Sequence, residues 1–290
     1  MSWSKSTVVE HSRGFPGLRQ RSGVVLGLLV MAVAGGLAVS LRRKGTDARH
    51  PSSQPDHTDA DQLAARAREW YRDPRKLRIA QKHDGPLEVR FVRFTEDRIR
   101  EIVGTAEELE VWDIGCGEGL LAGRISQRYS ELSYTGFDPH PRDNAARAGA
   151  DGKAHRFIEA RASEVVNLLA ARGGDGPDIV CSSLNFALWD NPEEELRQLA
   201  QECRGRSHIL IIDLLRAGSV KPVFKHLVHA ATFFTDQYNA SFTPDRLKSV
   251  AESIGRPYQL HYYLDTRSSL QKTESPHQGY GSVFVLAIEP

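Results

Sequence analysis

The sequence predicts an α/β protein with a doubly wound, mostly parallel sheet, preceded by an N-terminal helical cap and a single transmembrane helix. After residue 108, short apolar runs alternate with helical stretches. That order is typical of a parallel sheet covered by helices on both faces. The first run ends in a glycine-rich loop at residues 115–119, and residues 24–41 form an uncharged apolar segment. These three observations carry the predicted fold.

Composition excludes several classes of protein. The chain has 290 residues, of which 40% are hydrophobic and 26% charged, enough for one large core or two small ones. A net charge of +1 with 8% aromatic residues argues against wholesale disorder and gives nucleic-acid binding no support. The cysteines Cys116, Cys181 and Cys203 have no CxxC spacing, so neither a disulfide framework nor a structural zinc site is expected.

The N-terminal region predicts a membrane anchor. Residues 1–50 carry a net charge of +6, against −5 for the remainder. The uncharged stretch Val24 to Leu41 would span roughly 27 Å as a helix, close to the hydrocarbon thickness of a bilayer. The cluster Arg42-Arg43-Lys44 favours a single-pass protein with its C-terminal domain in the cytosol, on a plasma or organelle membrane. A buried helix, a signal cleaved near Ala38-Val39-Ser40 and a transit peptide are the alternatives.

The chain divides into five predicted regions. They are a basic segment at 1–23, the transmembrane helix at 24–41, a flexible linker at 42–58, an N-terminal cap or lid at 59–107 and a domain at 108–290. In the cap we expect a helix from Thr58 or Asp59 to Pro74, a short helix at 75–82, a strand at 87–91 and a helix capped by Thr95 that runs to Gly104.

The domain at 108–290 contains the strands and helix starts on which the fold prediction rests. Helices are expected after the glycine loop and at the Asn191-Pro192 and Thr243-Pro244 pairs, where a cap residue precedes a first-turn proline. The predicted strands are residues 109–114, 134–137, 155–159, 179–184, 209–214, 258–264 and 281–288.

The segment Asp113-Ile114-Gly115-Cys116-Gly117-Glu118-Gly119 resembles the first motif of class I S-adenosylmethionine-dependent methyltransferases. The dinucleotide fingerprint GxGxxG would need a glycine at position 120, where Leu120 stands. The resemblance implies a seven-stranded sheet ending in an antiparallel pair, with the glycine loop beneath the methionine part of S-adenosylmethionine. It also implies that Asp138, after the second strand, accepts hydrogen bonds from the ribose hydroxyls. Capping of a helix before Pro139 is a compatible second role.

The resemblance assigns the cofactor site to the carboxyl ends of the first four strands. Near the third strand the family commonly has an acid that pairs with the adenine amine, but Arg161 stands there, and backbone groups near Ala162 or the Ser163 side chain are the substitutes. Ser182 and Ser183 lie at the carboxyl end of the fourth strand, with ordinary loop chemistry as their alternative. The expected cofactor-binding residues are Asp113, Gly115, Cys116, Gly117, Gly119, Asp138, Pro139, Ala162, Ser182 and Ser183.

Two histidines are the candidate catalytic residues. His226 and His229 lie in the long segment 216–242, where substrate-recognition insertions occur in similar enzymes. A neutral histidine is a natural base if the methyl acceptor is a hydroxyl, and His226 is preferred. A helix packed on the sheet edge is the alternative for this segment. No third ligand accompanies the two histidines, so no metal is expected.

These features predict a membrane-anchored, S-adenosylmethionine-dependent methyltransferase that acts on a small, lipophilic molecule. The segment Asn185-Phe186-Ala187-Leu188 lacks both prolines of the Asn/Asp-Pro-Pro-aromatic motif that is usual in families that methylate nucleic-acid bases or glutamine, so no nucleic acid is expected as a partner. Two alternatives stay open: an enzyme on the same fold that catalyses another reaction such as cyclisation, and a tethered binding protein with a degenerate pocket. The sequence names neither the acceptor atom nor the oligomeric state.

Overall fold

The computed structural model describes residues 57–73, 90–140, 155–173, 176–217, 236–265, 269–276 and 282–290. The predicted basic segment, transmembrane helix and short helix at 75–82 lie outside these ranges, as does nearly all of the linker. Within the ranges, no helix is both long and apolar enough to cross a bilayer.

The described residues form alternating strands and helices, as the sequence predicts. The order is α1 (His57–Arg72), α2 (residues 90–103), β1 (Glu108–Ile114), α3 (Leu120–Ile125), β2 (Glu131–Asp138), β3 (His155–Glu159), α4 (Ala162–Ala171), β4 (Ile179–Ser183), a 3₁₀ turn (Phe186–Leu188), α5 (Pro192–Glu202), β5 (His208–Leu214), α6 (residues 236–240), α7 (Pro244–Ser253), β6 (Tyr258–Asp265), β7 (Leu270–Thr273) and β8 (Ser282–Ile288).

The strands form one sheet in the order β3-β2-β1-β4-β5-β8-β6-β7. The first five are parallel, while β8 runs antiparallel to both β5 and β6, and β7 pairs antiparallel with β6. The predicted number of seven strands is therefore wrong, because β7 adds an eighth. Its sequence, Leu-Gln-Lys-Thr, has one apolar residue and lies at the sheet edge, so it lacks the alternation that marks a half-buried strand.

The strand order places the candidate site. β1 lies at the centre of the parallel strands, with β2 on one side and β4 on the other. Asp113 near the end of β1 is in register with Gly136 of β2 and Cys181 of β4. The chain leaves β1 toward one side of the sheet and later returns on the other, and ligands bind beyond the carboxyl ends of strands at such a switch point.

Helices cover both faces of the sheet because alternate side chains of each strand point to opposite faces. One face buries Trp112, Val180 and Ile211 in a core that includes residues of α4, α5 and α7. The other buries Val111 and Ile179 together with residues of α2 and α3. Burial on both faces explains why the central strands are nearly continuous apolar runs.

The cap confirms one predicted element and corrects another. Helix α1 matches the predicted helix that ends before Pro74. The expected strand at 87–91 is wrong at residues 90 and 91, which are helical, while 87–89 lie outside the described residues. Thr95 does not cap α2 but lies inside it, where its hydroxyl donates to the Phe91 carbonyl at 2.8 Å. Phe91, Thr95 and Ile99 are all buried, which is the spacing of one helix face.

Glu96 fastens α2 to α3. Its side chain is 3% exposed and accepts a hydrogen bond from Arg124 at 2.7 Å. Arg128 pairs with the other carboxylate oxygen. Two cations thus compensate one buried acid, which fixes the cap beside the glycine loop.

Candidate active site

The loop between β1 and α3 needs glycine at three positions. Gly115, Gly117 and Gly119 have φ of 78°, 54° and 73°, values that residues with a side chain rarely adopt. The backbone N–H groups of Gly115 and Cys116 donate to the Phe137 carbonyl at 2.7 and 3.1 Å. The loop is therefore tied to the end of β2.

Asp138 closes the loop from the other side. Its Oδ2 accepts a hydrogen bond from the Gly117 N–H at 3.0 Å, and its Oδ1 accepts one from the His140 N–H at 2.8 Å. The second bond is the local turn expected of an aspartate before Pro139. Because each carboxylate oxygen has a further lone pair, both can also accept a hydroxyl from a ligand in the adjoining cavity.

Asp113 supports the loop from within the sheet. Its carboxylate accepts a hydrogen bond from the Tyr134 hydroxyl at 2.6 Å, and its side chain also bonds to Cys181. Burial raises the pKa of Asp113 to about 6, although these hydrogen bonds act in the opposite direction. Tyr134 is itself buried, and this burial, together with the nearby Asp113 charge, raises the pKa of Tyr134 well above its usual value. Asp113 borders the cavity but uses its carboxylate internally.

Asn185 links the end of β4 to the glycine loop. Its amide nitrogen donates to the carbonyls of Ile114 and Ser183 at 3.0 and 2.9 Å. Its amide oxygen accepts from the Ser182 hydroxyl and the Trp189 indole, each at 2.9 Å. A Cβ on Gly115 would lie 2.2 Å from the Asn185 side chain. Glycine at 115 therefore makes room for this amide.

A cavity of about 210 Å³ opens beyond the carboxyl ends of the strands. Most of the predicted cofactor residues border it, namely Asp113, Gly115, Cys116, Gly117, Asp138, Pro139, Ala162 and Ser183. The other two predicted residues, Gly119 and Ser182, do not border the cavity. Gly119 instead precedes α3 and donates its N–H to the Cys116 carbonyl at 2.9 Å. Ser182 is fully buried and its hydroxyl holds Asn185. The Ser182 side chain therefore does not line the cavity, and its assignment to the cofactor site stays a prediction.

The cap supplies the roof of this cavity. Helix α1 contributes Tyr71 and Arg72, and α2 contributes Phe91, Val92 and Thr95. The Thr95 hydroxyl lies 3.3 Å from that of Ser183, so the roof touches the strand edge directly. The sequence predicts this cap, but none of these residues is predicted as part of the site. The helical spacing of Leu63, Ala67 and Tyr71 indicates that one face of α1 packs against the protein. It does not identify the residues against which that face packs.

On the side toward β5, the cavity is bordered by Leu184, Leu214 and Gln237. Leu184 has φ of 62°, unusual for a side chain of this size. The Gln237 side-chain amide donates to the Leu184 carbonyl at 2.7 Å, and the Leu184 N–H donates to the Ile212 carbonyl at 2.9 Å. These contacts hold the strained residue in place. The predicted catalytic residues His226 and His229 lie outside the described residues.

Asp213 fixes the turn after β4. It is fully buried, and its carboxylate accepts hydrogen bonds from the N–H groups of Ala187 at 3.0 Å and Leu214 at 2.7 Å. Burial raises its pKa to about 6, against the effect of these bonds.

No group of His, Cys, Asp and Glu in the described part of the chain is arranged to hold a metal ion.

The architecture matches solved methyltransferase structures. The plantazolicin methyltransferase BamL, in complex with a triazolic desmethylPZN analog and SAH, aligns with a TM-score of 0.61 at 18% identity, over 80% of this chain and 97% of that one. The plantazolicin methyltransferase BpumL in complex with SAH aligns with a TM-score of 0.59 at 21% identity, over 80% and 97%. The fold is that of the class I S-adenosylmethionine-dependent methyltransferases. No protein-family model and no curated protein matches the sequence.

The class I methyltransferase fold confirms the main architectural prediction. The five parallel strands and the glycine loop lie where the resemblance of residues 113–119 implies. The eighth strand is a departure from it.

Proposed function

We propose that the protein is an S-adenosylmethionine-dependent methyltransferase. The observation that carries the proposal is the pair formed by the Gly117 N–H and the Asp138 carboxylate, at 3.0 Å, beside the cavity. A carboxylate fixed at the end of β2, next to a loop with no side chains, suits a ligand with a ribose diol and an adjoining extended chain. BamL and BpumL, which share the fold, were crystallised with SAH.

The donor and acceptor groups of the cavity fit this cofactor. Asp138 would hold the ribose hydroxyls, and the turns at Gly115 and Gly117 would let the backbone approach the methionine part closely. Asp113 and Asn185 would act indirectly by fixing the loop, since their side-chain polar atoms are hydrogen-bonded to protein groups.

The reaction would be an in-line displacement. S-adenosylmethionine supplies a methyl group activated by a positively charged sulfur. The chain's contribution is then placement and exclusion of water, which can lower a barrier by roughly 7–11 kcal/mol when the reacting atoms are aligned. Phe91 and Val92 of the roof, with Leu184 and Leu214 of the sheet edge, form the apolar part of the cavity wall. His226 stays the preferred base if the acceptor is a hydroxyl, with His229 as the second candidate.

The apolar wall supports a small, lipophilic acceptor. Phe91, Val92, Leu184 and Leu214 would face such an acceptor. BamL and BpumL were crystallised with azolic desmethylPZN analogs, which supports a small-molecule or peptide-like acceptor in this fold.

We also propose that residues 24–41 anchor the enzyme in a membrane, with the catalytic domain facing the cytosol. The support is the uniform apolarity of this segment and the Arg42-Arg43-Lys44 cluster that follows it. An anchored enzyme would meet lipophilic acceptors where they concentrate.

Thermal unfolding of the purified protein tests the cofactor assignment. S-adenosylhomocysteine at 100 times its dissociation constant should stabilise the protein by roughly 2.7 kcal/mol, whereas NADH at the same concentration should not. The absence of any response to S-adenosylhomocysteine would overturn the proposal. Binding without methyl transfer to any lipophilic acceptor, followed with labelled S-adenosylmethionine, would favour a different reaction or a binding protein.

A further inference from the structure

Three charged side chains from separate segments meet at one wall of the cavity. Arg68 comes from α1, Arg161 precedes α4, and Asp190 follows the 3₁₀ turn; all three border the cavity. Arg161 donates to Asp190 Oδ2 at 2.5 Å. Arg68 lies 3.8 Å from Asp190 Oδ1 and donates to the carbonyls of Leu188 and Trp189 at 3.2 and 2.9 Å. Asp190 is thereby held between two cations.

The position of the ribose dictates where a base would lie. If the proposed function holds, with the diol on Asp138 and the C5′ substituent over the glycine loop, the base at C1′ would leave the ribose on the opposite side. That side is the wall next to β3, formed by Ala160, Arg161 and Ala162 together with residues 188–190. The side chains of Leu188 and Trp189 supply apolar surface, which suits a flat aromatic ring.

Adenine carries an exocyclic amine, and a buried amine needs an acceptor. Three carboxylates border the cavity within the described residues: Asp113, Asp138 and Asp190. The Asp113 carboxylate is hydrogen-bonded to Tyr134, and Asp138 would bind the ribose under the proposed function. Asp190 lies on the base side, its side chain is 40% exposed, and each of its oxygens has a lone pair beyond those facing the arginines.

We infer that Asp190 accepts a hydrogen bond from the adenine amine and so selects adenine over other bases. The inference rests on the proposed function and identifies the residue that recognises the base of the cofactor. Arg161 and Arg68 are positioning residues, because they hold the carboxylate and do not themselves offer an acceptor.

Comparing two ligands tests this. S-inosylhomocysteine differs from S-adenosylhomocysteine at the base, where a carbonyl replaces the amine and the adjoining ring nitrogen carries a proton. Dissociation constants for both ligands are measured by calorimetry with the wild type, Asp190→Asn and Asp97→Asn. Asp97 is the matched control, because it is 45% exposed, pairs with Arg100 at 3.0 Å and does not border the cavity.

The wild type and Asp97→Asn should prefer the adenine ligand by about tenfold or more, since the carbonyl would face a carboxylate. In Asp190→Asn this preference should fall about tenfold, because an amide can donate to the carbonyl. An unchanged preference in Asp190→Asn would overturn the inference and leave the proposed function standing. If Asp190→Asn does not fold, wild-type affinities decide: equal affinity for the two ligands overturns it. If the wild type binds neither ligand, the proposed function itself fails.

Discussion

The carboxylate of Asp138 and the backbone N–H of Gly117 are joined by a hydrogen bond of 3.0 Å across the loop that ends β1. The residues are 21 positions apart, and they meet because β1 and β2 are parallel neighbours. The same carboxylate therefore shapes the loop and presents acceptors to the cavity.

Asp138→Ala should weaken S-adenosylhomocysteine binding by about 1–3 kcal/mol, through loss of charge-assisted hydrogen bonds to the ribose. Calorimetric titration measures this. Asp97 lies on α2 and does not border the cavity, so Asp97→Asn should bind S-adenosylhomocysteine as the wild type does. An unchanged dissociation constant for Asp138→Ala would restrict Asp138 to holding the loop.

Gly117→Val should abolish cofactor binding while the domain still folds. The residue has φ of 54° and borders the cavity, so a branched side chain would strain the loop and occupy ligand space. Gly104→Val is the matched control, since Gly104 has φ of 62° and a Cβ there meets nothing within 4 Å. It should cost stability but leave affinity unchanged. Wild-type affinity in Gly117→Val would make the loop a mere turn.

Asp113→Asn should change the dependence of stability on pH. Burial raises the Asp113 pKa from 3.8 to about 6, so between these values the folded protein binds a proton that the unfolded chain does not. This acid therefore lowers the free energy of unfolding progressively as the pH rises from about 4 to 6. Asparagine does not titrate, so the variant should gain on the order of 3 kcal/mol relative to the wild type across that window.

Urea unfolding at intervals between pH 4 and 7 measures the difference. Asp213 titrates in the same range but is present in both proteins, so its effect cancels. A difference in stability that stays constant with pH would contradict the raised pKa.

Glu96→Gln should loosen the cap. The substitution removes the charge that pairs with Arg124 and Arg128, and a fall in the free energy of unfolding of about 1–3 kcal/mol is expected, because both arginines are partly exposed. Glu101→Gln, which breaks an exposed pair with Arg98 on the same helix, should cost well under 1 kcal/mol. Chemical denaturation compares them. Equal effects would show that Glu96 contributes no more than a surface pair.

Removal of residues 1–44 should leave residues 45–290 soluble and able to bind S-adenosylhomocysteine, while the full chain resists extraction from membranes by carbonate. Protease added to sealed vesicles should reach the domain at 108–290 if it faces the cytosol. Release of the full chain by carbonate would make residues 24–41 a peripheral or cleaved segment. A protected domain would reverse the proposed orientation.

The elements that sequence reasoning predicted best are those with a strong local signal. β1, β4 and β5 are apolar runs buried on both faces, and the Thr243-Pro244 pair starts α7, with the Thr243 hydroxyl accepting from the Arg246 N–H at 3.3 Å. The start of α2 was mispredicted because Leu87 to Phe91 alternates like a strand, whereas burial of Phe91, Thr95 and Ile99 on one face decides the outcome.

The site was predictable only where a motif marks it. The glycine loop and Asp138 follow from spacing along the chain. The roles of Asn185 and Asp190 depend on contacts with residues 70 and 29 positions away, which no local pattern reveals. Position at the end of a strand predicts both Ser182 and Ser183 at the cavity, but only Ser183 borders it.

The insertion of β8 between β5 and β6 has a consequence for synthesis of the protein. Residues 282–288 are translated after both strands that they join. Until they leave the ribosome, β5 and β6 each have an edge of unpaired backbone N–H and C=O groups, with which a strand of another chain can pair. A nascent or prematurely terminated chain is thus a natural client for chaperones, and a stop codon before residue 282 should yield aggregated or degraded protein even though every residue of the candidate site has been made.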